Sequence, residues 1–403
     1  MSLIYDYIIN FACISDKIQK LKRNYEYKII ANMQTILHII DTTGPGGAET
    51  VYITLADKIR AHGYDSIAVV RGPGWVHDEL RRREVLAVVL DTSGRFNWHF
   101  LRALITLIRD KDIALIQSHL LGANVYSALA GWITGVPVIG TFHGRVDIHP
   151  DERFRRIKLW LMERGIRRFV AVSGNLAGII ERERLLNPAK TDIIYNGVDL
   201  QRYTNTRSRI LREELSIPGN ATIIGCLGNI RPAKAYDVLI RAIAALRDDF
   251  PELHVIIAGH QKPALMIELQ RLMEDLDIAS RFHFIGFHDD SAAFLSELDV
   301  FVLCSTSEGF SISTVEAMAA GLPVLATRCG GPEEIVTDGV DGMLVEAGSP
   351  QALAEGLKGL LTQPDLQQSL ATVARQTATE KFSEQAMLQR YLELYKAALQ
   401  KGV

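Results

Sequence analysis

One stretch decides the fold, Ser307-Glu-Gly-Phe-Ser-Ile-Ser-Thr-Val-Glu-Ala-Met-Ala-Ala-Gly-Leu-Pro-Val324. It follows a short apolar run at residues 299–303 and leads into a second at residues 323–326. Continuous hydrophobicity is typical of strands that are buried on both faces, and parallel strands need an intervening segment, usually a helix, to connect them. The stretch therefore predicts a strand–helix–strand unit of a parallel sheet, with the helix beginning near Ser313.

The same alternation runs through most of the chain in two series, one before Asn196 and one after it. The apolar runs are residues 35–40, 66–70, 85–90, 113–117, 136–141 and 169–173 in the first series, and residues 222–227, 253–258, 281–285, 299–303 and 323–326 in the second. This pattern predicts two doubly wound α/β domains, which suits a chain of 403 residues. Ligands bind beyond the carboxyl ends of such strands, so we expect a shared cleft.

The predicted domain division follows from these two series. Residues 33–195 form an N-terminal Rossmann-like domain and residues 196–375 a C-terminal one. Residues 376–403 are expected to contain a closing helix, because apolar residues recur there at three- and four-residue spacing.

Residues 1–32 are expected to lie outside this two-domain fold. Apolar residues recur at helical spacing in the segment, and basic residues gather toward its end; they are Ile4, Ile8, Phe11, Ile14, Ile18 and Leu21, with Lys17, Lys20, Lys22, Arg23 and Lys28. Two interpretations remain open: an amphipathic helix near membranes, or a segment that is not translated because the true start is Met33.

Composition excludes several classes of protein. With a net charge of -3, 48% hydrophobic residues and 23% charged residues, the chain resembles a globular enzyme and predicts no nucleic-acid partner. The four cysteines lie far apart without a C-x-x-C pair, so neither a zinc site nor a disulfide framework is indicated. No basic segment precedes the short apolar stretch at residues 3–14. We therefore expect a cytoplasmic protein, peripheral at most to the inner face of the membrane.

Two carboxylates in the opening stretch, Glu308 and Glu316, stand eight residues apart. With a helix beginning near Ser313, Glu308 would lie in the loop at its mouth and Glu316 about one turn inside. Carboxylates accept hydrogen bonds from paired sugar hydroxyls, and a helix N-terminus favours a diphosphate. The pattern indicates a nucleotide-sugar site; the alternative is a surface loop with a capping serine.

In this setting Glu308 and Glu316 resemble the E-x7-E signature of retaining glycosyltransferases, and the chain resembles glycosyltransferase family 4 from about residue 34 to about residue 374. Further matches occur in order: Gly46-Gly-Ala-Glu49, Gly140-Thr-Phe-His-Gly144, Val172-Ser173, Tyr195-Asn-Gly-Val-Asp199, Gly228-Asn-Ile-Arg-Pro-Ala-Lys234 and Cys329-Gly-Gly-Pro-Glu333. The resemblance implies the GT-B fold, in which two Rossmann-like domains face each other across a cleft, with the acceptor on the N-terminal side and the nucleotide sugar on the C-terminal side.

The resemblance also implies residue roles. Lys234 and Arg231 would hold the donor diphosphate, His143 would face the transferred sugar, Glu308 would bind sugar hydroxyls, and Glu316 would bind the ribose. The implied catalytic residues are thus Glu308, His143, Lys234 and Arg231, and the implied substrate-binding residues are Gly46, Gly47, Gly309, Phe310, Ser311, Ile312 and Glu316.

Two departures and several alternatives accompany these roles. Many family members have arginine where this chain has Asn229, and His260-Gln261 replaces the usual acidic-glycine pattern. In isolation, Arg231 and Lys234 could be solvated turn charges, and His143 could be structural.

The implied reaction moves a sugar, with retention, from a UDP- or GDP-linked donor to a hydroxyl of a glycan or lipid-linked acceptor in cell-surface polysaccharide or glycolipid synthesis. Alternatives are a nucleotide-sugar epimerase of the same fold and a non-catalytic sugar-nucleotide-binding protein. No cofactor or metal is expected, because the histidines are scattered along the chain and the sequence lacks the third glycine of a dinucleotide fingerprint.

A basic stripe is predicted on a helix within residues 151–169. It consists of Arg153, Arg156, Trp160, Arg164 and Arg167 at three- and four-residue spacing. Phe154, Ile157 and Leu161 are expected to form a separate apolar face. The stripe is either a solvated face or a surface for anionic lipid headgroups or a phosphorylated lipid acceptor.

Overall fold

The computed structural model describes residues 33–91, 96–203 and 208–400. The expectation for residues 1–32 lies outside these described residues. In the N-terminal half the elements are β1 (Gln34–Ile40), α1 (Gly47–Lys58), β2 (Tyr64–Val70), α2 (Trp75–Arg82), β3 (Leu86–Val89), α3 (Trp98–Asp110), β4 (Ile113–His119), α4 (Leu121–Thr134), β5 (Val138–Phe142), α5 (Arg155–Gly165), β6 (Arg168–Ala171), α6 (Gly174–Arg182) and β7 (Thr191–Ile193).

The second half repeats this alternation. Its elements are α7 (Ile210–Glu214), β8 (Thr222–Leu227), α8 (Tyr236–Leu246), β9 (Leu253–Ala258), α9 (Pro263–Asp275), β10 (Phe282–Gly286), α10 (Ser291–Ser296), β11 (Val300–Leu303), α11 (Ile312–Ala319), β12 (Val324–Arg328), α12 (Pro332–Ile335), β13 (Met343–Glu346), α13 (Pro350–Leu361), α14 (Pro364–Lys381) and α15 (Glu384–Leu399).

The strands form two all-parallel sheets, one in each half of the chain. The first has the order β3-β2-β1-β4-β5-β6-β7 and the second β10-β9-β8-β11-β12-β13. In each sheet the strand order reverses beside the first strand, so β1 and β8 are central and bury most of their residues. The expected pair of doubly wound Rossmann-like domains is therefore confirmed, and both switch points are places where ligands commonly bind.

The chain crosses between the two domains twice, and the crossings are joined by backbone hydrogen bonds. The Val198 N–H donates to the Phe382 carbonyl (2.9 Å), and the Glu384 N–H donates to the Val198 carbonyl (2.8 Å). After the second crossing, α15 packs on the N-terminal domain. The predicted boundary at residue 375 falls inside α14, and the last helix begins at Glu384.

Helix α15 completes the core of the N-terminal domain. Its Tyr391 and Tyr395 are fully buried, in one cluster with Ile36, Leu115 and Ile139 of the sheet. The Tyr391 hydroxyl lies 3.3 Å from the Thr141 hydroxyl of β5.

The predicted apolar face on α5 is wrong in two of its three positions. Phe154 is 61% exposed and Ile157 is 58% exposed. Met162 is fully buried and sets the packed face of the helix. Because successive helical residues turn by about 100°, Ile157 lies roughly opposite Met162 and faces outward with the basic residues.

None of the helices in the described ranges combines the length and the apolar character that crossing a bilayer requires.

We predict that Tyr391→Ala lowers the free energy of unfolding of the N-terminal domain by roughly 3 to 5 kcal/mol, because a buried aromatic side chain leaves a cavity. Gln389→Ala, which alters an exposed residue of the same helix, should change it by less than about 0.5 kcal/mol. Urea unfolding followed by tryptophan fluorescence measures both. Equal effects of the two substitutions would show that α15 is not part of the core.

Candidate active site

The Glu308 loop connects β11 to α11 and is fixed on both sides. Ser311 caps α11, since its hydroxyl accepts a hydrogen bond from the Thr314 N–H at 3.3 Å. The Glu308 N–H donates to the Cys329 carbonyl (3.2 Å), and the Gly331 N–H donates to the Glu308 carbonyl (3.0 Å). The Glu308 loop and the Cys329–Glu333 motif are thus joined by backbone hydrogen bonds. Helix α11 begins at Ile312, within one residue of the predicted start at Ser313.

Glu308 and Lys234 form an ion pair in this loop. The Lys234 Nζ donates to Glu308 Oε1 at 2.7 Å, and the Ser305 hydroxyl donates to the same oxygen at 2.7 Å. Lys234 lies across the end of β8, where a side chain at Gly228 would come within 2.8 Å of its Cε. Both charged side chains are mostly buried, with exposures of 20% and 16%. Glu308 Oε2 accepts no hydrogen bond from the described residues, so it is available to a ligand.

Glu316 lies within α11 and is held by residues that the sequence did not identify. Its Oε1 accepts hydrogen bonds from the Tyr203 hydroxyl (2.8 Å) and the Ser291 hydroxyl (2.9 Å). Burial raises the pKa of Glu316, and the two hydroxyls oppose this shift. Tyr203 and Ser291 lie 113 and 25 residues from Glu316 in sequence, so spacing gave no signal for them.

His143 lies in the loop after β5, beside the C-terminal domain. A side chain at Gly309 would collide with the His143 carbonyl oxygen. The loop is organised by Asp147, whose Oδ2 accepts hydrogen bonds from the N–H groups of His143 (2.6 Å) and Gly144 (3.3 Å). Its Oδ1 accepts one from the Leu121 N–H (3.1 Å) at the start of α4. Asp147 is therefore the residue that shapes the His143 loop, and the sequence did not identify it.

Burial shifts the pKa values of both residues of this loop. It lowers the pKa of His143 to about 3, so the imidazole is neutral at ordinary pH. It raises the pKa of Asp147 to about 7, even though the three backbone N–H groups act in the opposite direction.

Arg231 is exposed and lines a cleft of about 500 Å³ between the domains, together with Arg71 and Glu49 of the N-terminal side. It forms no ion pair with a residue of the described ranges. Asn229, where many family members have arginine, connects three loops by hydrogen bonds. Its Oδ1 accepts from the His260 N–H (2.9 Å), and its Nδ2 donates to the Pro45 carbonyl of the N-terminal domain (3.2 Å).

The remaining predicted binding residues have mainly packing roles in the structure. A side chain at Gly46 would collide with the Glu49 carboxylate, and one at Gly47 would come within 3.2 Å of Ile312 Cδ1. Phe310 is buried and stacks on Tyr195, with ring centroids 5.8 Å apart. Ser311 caps its helix.

A carboxylate that the sequence analysis missed joins the two domains next to the Glu308 loop. Glu334 of α12 accepts hydrogen bonds from the N–H groups of Gly174 (2.6 Å) and Asn175 (2.5 Å), at the start of α6. The Tyr195 hydroxyl also donates to it at 3.0 Å. A negative charge at a helix N-terminus is stabilised by the helix dipole, so Glu334 fixes the relative position of the domains.

Within the described residues, no cluster of three or more His, Cys, Asp or Glu side chains could hold a metal ion. Cys226, Cys304 and Cys329 are all free.

Two Rossmann-like domains that face each other across a cleft, with motif residues from both at its walls, have the architecture of the GT-B fold. Family comparison agrees: residues 45–202 match the model described as Glycosyltransferase Family 4, and residues 208–377 match Glycosyl transferases group 1. The chain belongs to glycosyltransferase family 4.

Individual relatives support this membership. The chain is 32% identical over 308 residues to a D-inositol 3-phosphate glycosyltransferase of Streptomyces scabiei. The matched region covers 71% of this chain and 68% of that protein. It is 25% identical to the lipopolysaccharide core biosynthesis glycosyltransferase LpsE of Rhizobium meliloti, over 87% of this chain and 95% of that protein. The crystal structure of Anabaena Alr3699/HepE in complex with UDP-glucose has the same fold, with a TM-score of 0.82 at 23% identity, over 90% of this chain and 99% of that one.

We predict that the stability contribution of Asp147 depends on pH. Its folded-state pKa is about 7, above the ordinary value of 3.8, so the contribution is complete below about pH 4 and is lost as pH rises toward 7 and beyond. Between pH 5 and pH 8 the free energy of unfolding of the parent should fall by roughly 1 to 3 kcal/mol relative to Asp147→Asn, which does not titrate. Urea unfolding at several pH values measures the difference, and a constant difference would contradict the raised pKa.

Proposed function

We propose that the protein transfers a sugar, with retention of configuration, from a nucleotide diphosphate sugar to a hydroxyl of a glycan or lipid-linked acceptor. The observation that carries this proposal is the Lys234–Glu308 ion pair at the cleft, with Glu316 held in α11, the helix that follows the Glu308 loop. A cation beside two oriented carboxylates suits a ligand that has a diphosphate between two hydroxyl-bearing sugars.

Lys234 and Arg231 supply the charge for the diphosphate in this proposal. The Lys234 ammonium has three donors, so it can keep its hydrogen bond to Glu308 and still reach a phosphate oxygen. Arg231 has no ion-pair partner in the described residues and can neutralise charge that develops on the leaving group. We propose that these two cations replace a metal ion, and turnover in excess EDTA tests that point.

The carboxylates would bind the two sugars of the donor. Both hydrogen bonds to Glu308 fall on Oε1, and both to Glu316 also fall on Oε1. The second oxygen of each residue is therefore the natural acceptor for hydroxyl groups, from the transferred sugar at Glu308 and from the ribose at Glu316. We assign no covalent step to Glu308, because its charge is already shared with Lys234.

The comparisons suggest UDP as the first donor base to test, and they suggest two kinds of acceptor. UDP-glucose is the ligand in the Anabaena structure of the same fold. The relatives are named for an inositol phosphate acceptor and for the lipopolysaccharide core. An epimerase or a non-catalytic nucleotide-sugar-binding protein are the competing functions. Both differ from a transferase in needing no acceptor.

We predict that Lys234→Ala and Glu316→Ala each reduce kcat/KM by about 30- to 1,000-fold, corresponding to roughly 2 to 4 kcal/mol lost with one charged hydrogen-bonding partner. Lys358→Ala is the matched control, because Lys358 forms an exposed ion pair with Asp249 in the same domain. It should leave turnover unchanged. The assay is nucleotide release from a panel of UDP- and GDP-sugars, with and without glycan acceptors.

The same panel separates the competing functions. Nucleotide release that depends on an acceptor supports a transferase. Conversion of a nucleotide sugar without acceptor or release would identify an epimerase, and binding without conversion would identify a non-catalytic protein. Parent-like turnover in both site variants would remove Lys234 and Glu316 from the mechanism.

We also propose that the N-terminal domain docks on an anionic bilayer. The exposed face of α5 carries Arg156, Ile157, Trp160 and Arg164, and the Arg164 guanidinium lies 5.7 Å from the Trp160 ring centroid. The end of α4 extends this face, since Trp132 is 57% exposed and contacts Trp160 edge to face, with centroids 6.2 Å apart. We call this set, with Arg153, Phe154 and Ile133, the docking surface. The predicted helical stripe is wrong at both ends, because Arg153 precedes α5 and Arg167 follows it, with the Arg167 guanidinium donating to the Ala398 carbonyl of α15 at 3.0 Å.

The chemistry of the docking surface favours a bilayer over another protein face. Tryptophan prefers the interface between headgroups and hydrocarbon, and arginine is attracted to anionic headgroups. Exposed aliphatic and aromatic side chains on an otherwise basic face match both requirements. A lipid-linked acceptor would then be presented to the N-terminal side of the cleft.

We predict that the protein co-sediments with vesicles containing phosphatidylglycerol, and much less with pure phosphatidylcholine vesicles or in high salt. Arg156→Glu combined with Arg164→Glu should abolish this binding, and Trp132→Ser combined with Trp160→Ser should weaken it in all salts. The charge-matched control is Arg102→Glu with Arg109→Glu, on the exposed side of α3, which should bind like the parent. If the control pair loses vesicle binding to the same extent, the binding depends on the net charge of the protein and not on the docking surface.

A further inference from the structure

One contact between the domains joins the start of α2 to the loop that follows β10. The Trp75 indole N–H donates to Asp289 Oδ1 at 3.0 Å, and the Trp75 ring meets the Phe287 ring edge to face, with centroids 6.1 Å apart. The Phe287 ring stacks in turn on the His260 ring, with centroids 4.8 Å apart. Because His260 lines the 500 Å³ cleft, we call the contact of Trp75 with Asp289 and Phe287 the rim contact.

The backbone around Trp75 is anchored within its own domain. The Val76 N–H donates to the Thr43 carbonyl at 3.1 Å. A side chain at Gly74 would come within 2.8 Å of the same oxygen, and the Gly74 φ of 152° favours glycine. Trp75 therefore reaches the C-terminal domain from a fixed position beside the loop that follows β1.

The partners of Trp75 belong to residues 287–291, a segment that also carries Ser291. Asp290 caps α10, because its Oδ1 accepts hydrogen bonds from two N–H groups in the first turn of that helix, at 3.1 and 3.3 Å. The next residue, Ser291, donates to Glu316 Oε1 at 2.9 Å. The segment thus contacts Trp75 at one end and Glu316 at the other.

We infer that Trp75 is a positioning residue for the donor site. By holding Asp289 and Phe287, it fixes the segment 287–291 and so keeps Ser291 in place for Glu316. This inference rests on the proposed function, in which Glu316 binds the ribose. A residue of the acceptor-side domain then affects how tightly the donor-side domain binds its nucleotide. Contacts that connect two sites in this way commonly change an affinity by about 2- to 30-fold.

The rim contact suits a test by substitution, because it contributes little to either core. Asp289 is exposed, and Phe287 is 37% exposed. Exposed contacts of this kind have small effects on the free energy of unfolding. Trp75→Ala should therefore fold like the parent. Trp98→Ala is the matched control, because Trp98 also begins a helix of the N-terminal domain and is 67% exposed.

Binding of UDP to the full chain, measured by isothermal titration calorimetry, tests the inference. We expect Trp75→Ala to weaken UDP binding about 3- to 30-fold. Asp289→Ala should weaken it in the same direction, whereas Asp289→Asn should stay within twofold of the parent, because its amide oxygen can still accept from the indole N–H. Trp98→Ala should also bind like the parent. Parental affinity in Trp75→Ala, or an equal loss in Trp98→Ala, would overturn the inference.

A kinetic measurement separates positioning from a merely structural role. With UDP-glucose as the probe donor, Trp75→Ala should raise KM in proportion to its loss of UDP affinity and keep kcat within threefold of the parent. A structural role would lower the amount of folded enzyme, so kcat would fall while KM stayed the same. That result would contradict the assignment of Trp75 as a positioning residue.

Hydrogen–deuterium exchange without any nucleotide distinguishes failure of the inference from failure of the proposed function. Peptides spanning residues 287–296 should exchange faster in Trp75→Ala than in the parent or in Trp98→Ala, because the segment has lost its contact with the N-terminal domain. Unchanged exchange would show that Trp75 does not hold the segment. If the parent binds neither UDP nor GDP, the proposed function fails, while the exchange rates still decide whether Trp75 fixes residues 287–291.

Discussion

The paired crossings between the domains are the constraint on which the rest of the structure depends. A side chain at Gly197 would collide with the backbone of Ser383, so the glycine of the Tyr195–Asp199 motif allows the two crossings to pair. Helix α15, which follows the second crossing, is buried against the N-terminal sheet, so the C-terminal domain is tied to its partner by two chain segments. The strand-end loops of both sheets therefore face each other across one cleft.

The groups at that cleft are positioned before a ligand arrives. Lys234 and Glu308 hold each other in a site where both are mostly buried, and Tyr203 and Ser291 hold Glu316. Partly buried charges that already have partners need little reorganisation when a ligand binds, which is how such sites reduce the entropic cost of ordering side chains. Glu334 helps to position the two walls of the cleft, because it joins the Glu308 side of the cleft to the start of α6 in the N-terminal domain.

The sequence predicted the elements whose signal is local. Central strands such as β1 and β8 show continuous hydrophobicity. The stretch from Ser307 to Val324 predicted the start of α11 to within one residue. The strands β7 and β13 were missed because they are short sheet edges, half exposed, and lack that signal. Ile157 was misplaced because the sequence does not say which face of α5 meets α4, and Phe154 was misplaced because it precedes the helix. Contacts between distant residues, such as Tyr203 with Glu316, depend on tertiary packing that periodicity cannot encode.

Helix α4 connects the two features that the sequence treated separately. Its first N–H group is bound by Asp147, which shapes the His143 loop, and its last turn carries Trp132 of the docking surface. Its 14 residues make it about 21 Å long. Helix α5 makes the same connection, because the Arg155 guanidinium at its start donates to the Ile148 carbonyl of the His143 loop at 3.3 Å. The docking surface runs along α5 from that end, so under the proposed docking a bilayer would lie beside the His143 loop. An acceptor presented at that bilayer would then approach the cleft from the N-terminal side, which is why the packing of α4 against α5 bears on both features.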